Sequence, residues 1–281
     1  MITSALTIDV EDWFQVSNLE PYVPRDRWAS FALTVERNVD TILALLSEKQ
    51  IRATFFILGW IAHRVPSLVR KIAGEGHEIA SHGWDHQRVS ALSPAAFAED
   101  VKRSREVLEQ ISAGPVLGYR APSFSIDAER QWAHSILAEQ GYQYSSSVAP
   151  FQHDHYGWPG APRFAWRPLS GSPFLEVPVS TVRFGWWCLP AGGGGFFRLY
   201  PYSLSRFLLR QIVRQGQPAI FYFHPWEVDP LLPRAEGSPY LVHLRTHLNR
   251  AAVPARLARL LKDLRWGPLN QIVARHQEAL L

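Results

Sequence analysis

Short apolar segments that alternate with amphipathic helical segments constrain this chain more than any other feature. Residues 4–9, 53–57 and 219–223 are apolar enough to be buried strands, whereas residues 35–49 and 94–111 carry apolar side chains at helical spacing. Further strands are predicted at 77–81, 116–119, 142–145 and 175–179, and further helices at 66–74, 127–140 and 203–215. Apolar strands separated by helices favour a parallel sheet that helices cover on both faces, and therefore an α/β fold.

Two segments interrupt this alternation. Residues 146–172 are rich in Pro, Gly, His and Trp and predict a long loop, and residues 183–201 contain four consecutive glycines, which predict a flexible turn. Loops of this length in a compact domain are usually functional or disordered. From Pro239 the chain becomes basic, with helices predicted at 254–264 and 268–280.

Composition excludes several classes of protein. With 47% hydrophobic and 19% charged residues, 281 residues can bury a sizeable core. The net charge is only +4 and no run of five basic residues occurs, so we expect no nucleic-acid partner. A single cysteine, Cys188, excludes an internal disulfide.

No 18-residue apolar span is present, so no transmembrane helix is expected. The N-terminal residues lack the pattern of a secretory leader, and a cytoplasmic location is therefore expected. The arginine-rich stretch at residues 245–265 predicts a helix with solvated arginines and leaves a peripheral membrane contact open.

Three carboxylates lie where the first predicted strand ends. Side chains alternate along a strand, so Asp9 and Glu11 point to one side and Asp12 to the other. Burying carboxylates beside an apolar strand costs free energy, so they are expected there when they have a function. The alternative is that the strand end is solvated and the acids have no special role. One carboxylate of the pair could bind a metal ion while the other takes a proton.

Two histidines follow the strand predicted at 77–81. His82 and His86 are four residues apart, which would bring both imidazoles to one side of a helical turn and suits a shared metal ion. Together with the acids they predict a divalent-metal hydrolase. We expect His77 to be structural, and His153 and His155, in the long loop, to be exposed to solvent.

Two more candidates follow predicted strands. Arg120 can pair with a carboxylate and keep it ionised, although a surface salt bridge would have the same sequence. His224 ends the most apolar strand and can protonate a leaving amine, unless it is a hydrogen-bonded core histidine. Glu227 and Asp229 are candidates for orienting His224.

Taken in order, these motifs resemble those of the polysaccharide deacetylase family with NodB homology, carbohydrate esterase family 4. The motifs are an acidic strand end, a His-x-x-x-His, an Arg-x-Pro at Arg120 and a late histidine after an apolar strand. The sequences Asp-Val-Glu-Asp-Trp-Phe and Phe-His-Pro-Trp-Glu are similar, more narrowly, to the deacetylases of bacterial exosortase/PEP-CTERM exopolysaccharide loci.

The resemblance implies a distorted (β/α) barrel over residues 1–235, with a basic helical C-terminal extension at 236–281 packed on it. It implies metal-dependent N-deacetylation of N-acetylated amino sugars in a polysaccharide or its precursor, in exopolysaccharide biosynthesis. The implied cofactor is a divalent metal ion, zinc first, and the implied partner is an acetylated glycan.

The resemblance also assigns roles to residues. Asp9 matches the general base, Arg120 the arginine that holds it, and His224 the general acid. His82 and His86 match the two metal-binding histidines.

The chain departs from the family pattern at three places. Val10 stands where the family has a metal-binding aspartate, so the strand alternation favours Glu11 as the ligand, with Asp12 as the fallback. Ser123 and Phe124 replace the usual tyrosine after the Arg-x-Pro. The family's later aspartate, which orients the acid, has only Asp127 and Glu176 as candidates.

Substrate contacts are predicted from position. Aromatic rings in loops suit stacking on sugar faces, and a backbone N–H near the Arg-x-Pro motif would stabilise an oxyanion. The predicted substrate-binding residues are Trp13, Trp84, Ser123, Trp186 and Trp226.

Two other functions fit the same sequence. One is an allantoinase-like hydrolase of small non-peptide amides, because that branch of the family shows similar departures. The other is a carbohydrate-binding barrel that has lost its chemistry.

Overall fold

A computed structural model describes residues 2–153 and 156–278 of the chain, so His155 lies outside the described residues. The strands are β1 Thr3–Val10, β2 Thr54–Ile57, β3 Glu78–Ser81, β4 Gly118–Tyr119, β5 Tyr144–Ser145, β6 Leu175–Glu176, β7 Thr181–Phe184, β8 Trp187–Pro190, β9 Ile220–Phe223 and β10 Arg265–Gly267. The α-helices are α1 Val35–Glu48, α2 Gly59–Arg64, α3 Pro66–Gly74, α4 Pro94–Ser112, α5 Trp132–Glu139, α6 Gly194–Leu199, α7 Tyr202–Arg214, α8 Tyr240–His247, α9 Val253–Asp263 and α10 Leu269–Glu278.

The main sheet is parallel and curls into a distorted barrel, as predicted. Its order is β10-β1-β2-β3-β4-β5-β6, and β9 pairs with β1 as well. Ser180 lies beside β9. Its N–H donates to the Ile220 carbonyl, and its hydroxyl accepts from the Ile220 N–H. Because all these strands are parallel, their carboxyl ends meet at one edge, where barrel enzymes carry their sites.

The sheet is buried on both faces. The side chains of β2 and β9 are buried throughout, and those of β1 are buried from Ser4 onward. Helices α1, α3 and α7 pack apolar faces against the barrel, and their leucines, isoleucines and valines form one continuous core. This burial explains why the strands read as apolar runs rather than as alternating patterns.

The prediction of a flexible turn at residues 183–201 is wrong. The segment forms the β7–β8 hairpin and helix α6. The glycines lie against β9: a Cβ at Gly192 would meet the carbonyl oxygen of Ile220, and one at Gly193 would meet the Tyr222 ring. They are needed for close approach rather than for flexibility.

The end of the chain contributes more than helices. Strand β10 pairs in parallel with β1, from Thr3 with Arg265 to Ala5 with Gly267, so residues 265–267 add a strand to the barrel sheet. The division at residue 235 therefore stays a prediction, and the segment 236–281 is not purely helical. No helix in the described part of the chain is both long and apolar enough to cross a membrane.

Candidate active site

A cavity of about 380 Å³ opens at the carboxyl ends of the parallel strands. Five of the residues predicted to be catalytic or metal-binding line it together: Asp9, Glu11, His82, His86 and His224. The alternation predicted for the first strand is confirmed here, because Asp9 and Glu11 both face the cavity. Three strand ends that are far apart in sequence thus contribute these residues to one pocket.

Asp9 is held from below by Arg120. The guanidinium is fully buried and donates from Nη1 to the Asp9 Oδ1 at 2.6 Å and to the Thr7 hydroxyl at 2.7 Å. Its other nitrogens donate to the Ser146 carbonyl and hydroxyl. Arg120 is therefore a buried partner of Asp9 rather than a surface salt bridge, and the second oxygen of Asp9 stays turned toward the cavity, 4.0 Å from the His224 Nε2.

Glu11, His82 and His86 form a compact group of possible metal donors. One ligand atom from each lies within 4.8 Å of the others, and all three residues are buried. The His82 Nδ1 donates to the Arg120 carbonyl at 2.8 Å, which leaves the Nε2 lone pair free for a ligand. The Glu11 Oε2 lies 2.9 Å from the His86 Nε2 but accepts no aligned hydrogen bond.

This donor set fits a divalent ion. A buried carboxylate oxygen without a donor, beside two imidazoles, is costly in a protein unless a cation accompanies it. Burial lowers the pKa of His82 to about 4, which keeps the ring neutral as a ligand must be. Burial alone would raise the pKa of Glu11, but the charges of His86 and His224 outweigh burial and lower that pKa to about 2.

The two histidines meet through a loop and not through a helical turn, which corrects the predicted local structure. Residues 82–88 are not helical, and His86 has a φ of 60°, in the left-handed region. Arg25 donates to the carbonyls of Asp85 and His86 and so fixes the loop. The rings still come together, with centroids 5.3 Å apart.

His224 is held on the opposite side of the pocket by a buried pair of charges. Its Nδ1 donates to the Glu227 Oε1 at 2.7 Å, and Arg198 donates to the other oxygen of Glu227 at 3.0 Å. The His224 Nε2 points into the cavity, 3.6 Å from the Glu11 Oε1. Burial alone would lower the pKa of His224, but Glu11, Glu227 and Asp9 outweigh burial and raise that pKa to about 9. The direction of this shift favours the protonated ring at neutral pH.

The structure separates the candidates for orienting His224. Glu227 makes the contact, whereas Asp229 accepts bonds from Arg37 and Asn38. The two candidates suggested by the family pattern are engaged elsewhere: Asp127 pairs with Arg130, and Glu176 accepts bonds from His134 and the backbone of residues 147 and 148.

Asp12, the fallback ligand, is turned away from the cavity. Its carboxylate accepts hydrogen bonds from the Trp13 N–H, the Thr34 N–H and hydroxyl and the Val35 N–H. The first amides of α1 have no acceptor within the helix, and the Asp12 carboxylate accepts their hydrogen bonds as a capping residue does. The prediction of Asp12 as a ligand is not supported by this geometry.

Of the four predicted sugar-stacking tryptophans, Trp226 alone lies among the described residues that line the cavity. Its ring stacks on His224 at 5.2 Å, and its N–H donates to the Glu11 Oε1. Trp13 is buried in an aromatic cluster and does not line the cavity, and Trp84 packs under the Arg103 guanidinium. Trp186 is 88% exposed at the β7–β8 turn. These three were wrong as cavity residues because a loop position does not reveal which way a ring faces.

Ser123 does line the cavity, beside Phe124. Both residues have positive φ, 54° and 49°, a strained conformation for non-glycine residues that often marks functional sites. The Phe124 N–H already bonds to the Ala121 carbonyl, so an oxyanion contact by a neighbouring N–H stays a prediction. His153, expected in solvent, instead stacks on Tyr156 at the cavity wall.

Sequence reasoning missed Arg198 and the reason for the glycines. Arg198 follows the glycine run by three residues, and a Cβ at Gly194 would lie 2.3 Å from the Glu227 Oε1. An arginine next to a glycine-rich segment carries no distinctive signal, because its partner is 29 residues away.

Comparisons with known proteins match the chain to two family models. Residues 26–145 match the polysaccharide deacetylase family model, and residues 146–274 match a domain of unknown function, DUF3473. Asp9 and Glu11 thus precede the first match, while His224, Glu227 and Arg198 lie in the second.

Among the relatives is a peptidoglycan-N-acetylglucosamine deacetylase from Bacillus cereus, 28% identical over 139 residues that cover 47% of each chain. A chitooligosaccharide deacetylase from Rhizobium leguminosarum bv. trifolii is 38% identical over 74 residues, 26% of this chain and 34% of that one. The chain thus spans less than half the length of these curated relatives.

A solved structure from Mycobacterium smegmatis, assigned to the polysaccharide deacetylases, has the same fold. It superposes with a TM-score of 0.62 at 22% identity, covering 98% of this chain and 90% of that one. Residues 26–145 therefore match the polysaccharide deacetylase family, and residues 146–274 match a domain of unknown function, within one fold.

Proposed function

We propose that this chain is a metal-dependent hydrolase that removes acetyl groups from N-acetylated amino sugars of a polysaccharide or its precursor. The observation that carries the proposal is the pairing of an arginine-held carboxylate, Asp9, with a protonated imidazole, His224, across one cavity. Amide hydrolysis needs such a base and such an acid on the two sides of the scissile bond.

Glu11, His82 and His86 would hold the metal ion, with zinc as the first candidate because its usual ligands are imidazole nitrogens and carboxylate oxygens. When bound, such an ion polarises an amide carbonyl and makes a water molecule acidic near neutral pH.

Asp9 and His224 would each carry out one of the two proton transfers. Asp9, kept anionic by Arg120, takes the proton from the attacking water at its cavity-facing oxygen. His224 gives its Nε2 proton to the sugar nitrogen as the C–N bond breaks, so the products are acetate and a free amine. Glu227 and Arg198 keep the His224 ring in the orientation and charge state that this step needs.

The names of two relatives support the proposed substrate class. Two of them act, by their names, on N-acetylglucosamine in peptidoglycan and on chitooligosaccharides. The cavity, walled by Phe124, Tyr222 and Trp226, offers aromatic faces to a sugar ring. The role in exopolysaccharide synthesis and the cytoplasmic location stay predictions.

The test is acetate release from N-acetylated chitooligosaccharides by the zinc-loaded protein. Asp9→Asn and His224→Ala should each lower kcat by roughly 10²-fold or more while zinc stays bound. Asp26→Asn, an exposed acid outside the cavity, is the matched control and should leave kcat unchanged.

Other outcomes would redirect the proposal. Turnover of ureides without acetate release would favour the allantoinase-like function. Binding of the oligosaccharides without turnover, even with added metal, would favour a carbohydrate-binding barrel.

A further inference from the structure

The exposed large apolar side chains are confined to one part of the chain. Among the described residues all of them lie between residues 184 and 244, and residues 2–183 contribute none. Single exposed apolar residues are normal on a protein surface, but a concentration of them marks an interaction site. The segment also falls within the domain of unknown function.

The β7–β8 hairpin carries the most exposed rings. Its two-residue turn begins at Gly185, which has a φ of 60°, and presents Trp186 at its tip. Trp186 is 88% exposed, Trp187 64% and Phe184 44%. The hairpin base is anchored, because Val182 is buried, so the three rings project from a fixed support.

Helices next to the hairpin continue the apolar surface. Leu199 at the end of α6 is 55% exposed, and Leu204 and Phe207 are exposed on α7, which packs against β7. Leu199 also lines the cavity. The exposed apolar side chains of this region, here called the apolar face, are Phe184, Trp186, Trp187, Leu199, Leu204 and Phe207. Through Leu199 the apolar face reaches the mouth of the pocket.

Helix α8 adds further exposed apolar residues next to α6. Tyr240, Leu241 and Leu244 are exposed, and Leu248 just beyond the helix lines the cavity. Arg198 ties α8 to α6, because its Nη1 donates to carbonyls at residues 245, 246 and 248. Leu199 and Leu248 therefore bring α6 and the end of α8 to the same part of the pocket rim.

Charge is distributed in the same way. Residues 177–263 contain eleven Arg or Lys and four Asp or Glu, whereas the rest of the chain contains 18 and 21. Between residues 177 and 226 there is no acid at all. Exposed cations such as Arg183 and Arg214 lie in the elements that carry the apolar face. The net positive charge of this region would attract it to an anionic surface.

We infer that the apolar face and α8 dock the protein on an anionic lipid bilayer, with the cavity mouth at the edge of the contact. Tryptophan and tyrosine favour the bilayer interface, leucines bury in its acyl region, and arginines bind its headgroups. Leucines do not stack on sugars, and a projecting hairpin tip is not a groove, so a bilayer fits this surface better than a glycan chain. The inference stands independently of the reaction in the cavity.

Flotation of the full chain with lipid vesicles tests the inference. We expect binding to vesicles of phosphatidylcholine with 30% phosphatidylglycerol, weaker binding at high salt, and little binding to pure phosphatidylcholine. Trp186→Ser with Trp187→Ser should reduce the bound fraction roughly tenfold, because two interfacial anchors are lost. Leu241→Ser with Leu244→Ser tests α8 in the same way, and circular dichroism checks that each variant is folded.

A pair of charge variants supplies the matched control. Arg183→Glu should weaken binding severalfold, whereas Arg70→Glu, an exposed arginine on α3, should not. Absence of vesicle binding by the unaltered chain would overturn the inference. So would binding that both serine variants retain, or loss of glycan binding in the tryptophan variant when no vesicles are bound.

Discussion

At the scale of single residues, the site depends on buried charges that neutralise one another. Arg120 compensates Asp9, and Arg198 compensates Glu227, which in turn holds His224. Each buried ion would be costly by itself, so the removal of one partner leaves the other uncompensated. The chemistry assigned to Asp9 and His224 therefore rests on two arginines that need not contact a substrate.

Glu227→Gln should change the pH dependence of the reaction. Glutamine can still accept from the His224 Nδ1 but removes a negative charge that helps to raise the pKa of His224 to about 9. A general acid works only while protonated, so kcat/KM falls as pH rises through this pKa. We expect the alkaline limb of the kcat/KM profile to move down by roughly one pH unit.

The control for this variant is Glu236→Gln, which removes an exposed carboxylate outside the described cavity. Its profile should match that of the unaltered chain. An alkaline limb that stays in place in Glu227→Gln would remove His224 from the role of acid.

At the scale of elements, strands and helices follow from the sequence better than the segments that join them. The strand ends fix Asp9, Arg120 and His224 at one edge, because a parallel sheet brings carboxyl ends together. The loop that carries His86 is different: its left-handed residue and its contacts with Arg25 depend on tertiary structure, so no local pattern reveals them.

Gly194→Ala should slow the reaction by displacing the Glu227 carboxylate, without removing any charged group. A Cβ at Gly194 would lie 2.3 Å from the Glu227 Oε1, so the carboxylate must move away from His224. We expect kcat to fall about tenfold with a smaller change in KM, since the acid loses its orientation. Gly195→Ala is the matched control, because a Cβ there meets no described atom within 4 Å. Equal kcat values for the two variants would contradict this role.

His77→Gln should reduce the loss of stability in acid. The His77 Nδ1 accepts from the Ala53 N–H, and burial, with a contribution from Arg52, lowers the pKa of His77 from 6.5 to about 4. As pH falls from 6.5 toward 4, the unfolded chain takes up a proton that the folded chain does not, and the free energy of unfolding decreases. Tm measured at pH 7 and pH 5 should fall less in His77→Gln than in the unaltered chain.

The exposed His63 provides the comparison for this experiment. His63→Gln should lose as much Tm between pH 7 and pH 5 as the unaltered chain. An unchanged pH response in His77→Gln would show that His77 protonation does not limit stability in acid.

At the scale of the whole molecule, the site is assembled from three stretches of chain. Residues before the first family match supply Asp9 and Glu11, the polysaccharide deacetylase domain supplies its two histidines and Arg120, and the domain of unknown function supplies His224. The second domain thus forms part of the cavity, and it also carries the exposed apolar surface.

Sequence reasoning recovered the fold class and five polar residues that meet in the cavity, because polar groups after apolar strands are conspicuous. It did not recover strand β10, since three residues at 265–267 give no periodic pattern. It also failed for Trp13 and Asp12, because a residue's type and position do not specify whether it faces a ligand or caps a neighbouring helix.

Metal content tests the central claim most directly. The chain, incubated with zinc and desalted, would be measured by inductively coupled plasma mass spectrometry beside His82→Ala and the exposed control His63→Ala. We expect about one equivalent of bound zinc in the unaltered chain and in His63→Ala, and loss of that zinc in His82→Ala. No bound zinc in the unaltered chain, or equal zinc in His82→Ala, would contradict a metal centre at Glu11, His82 and His86.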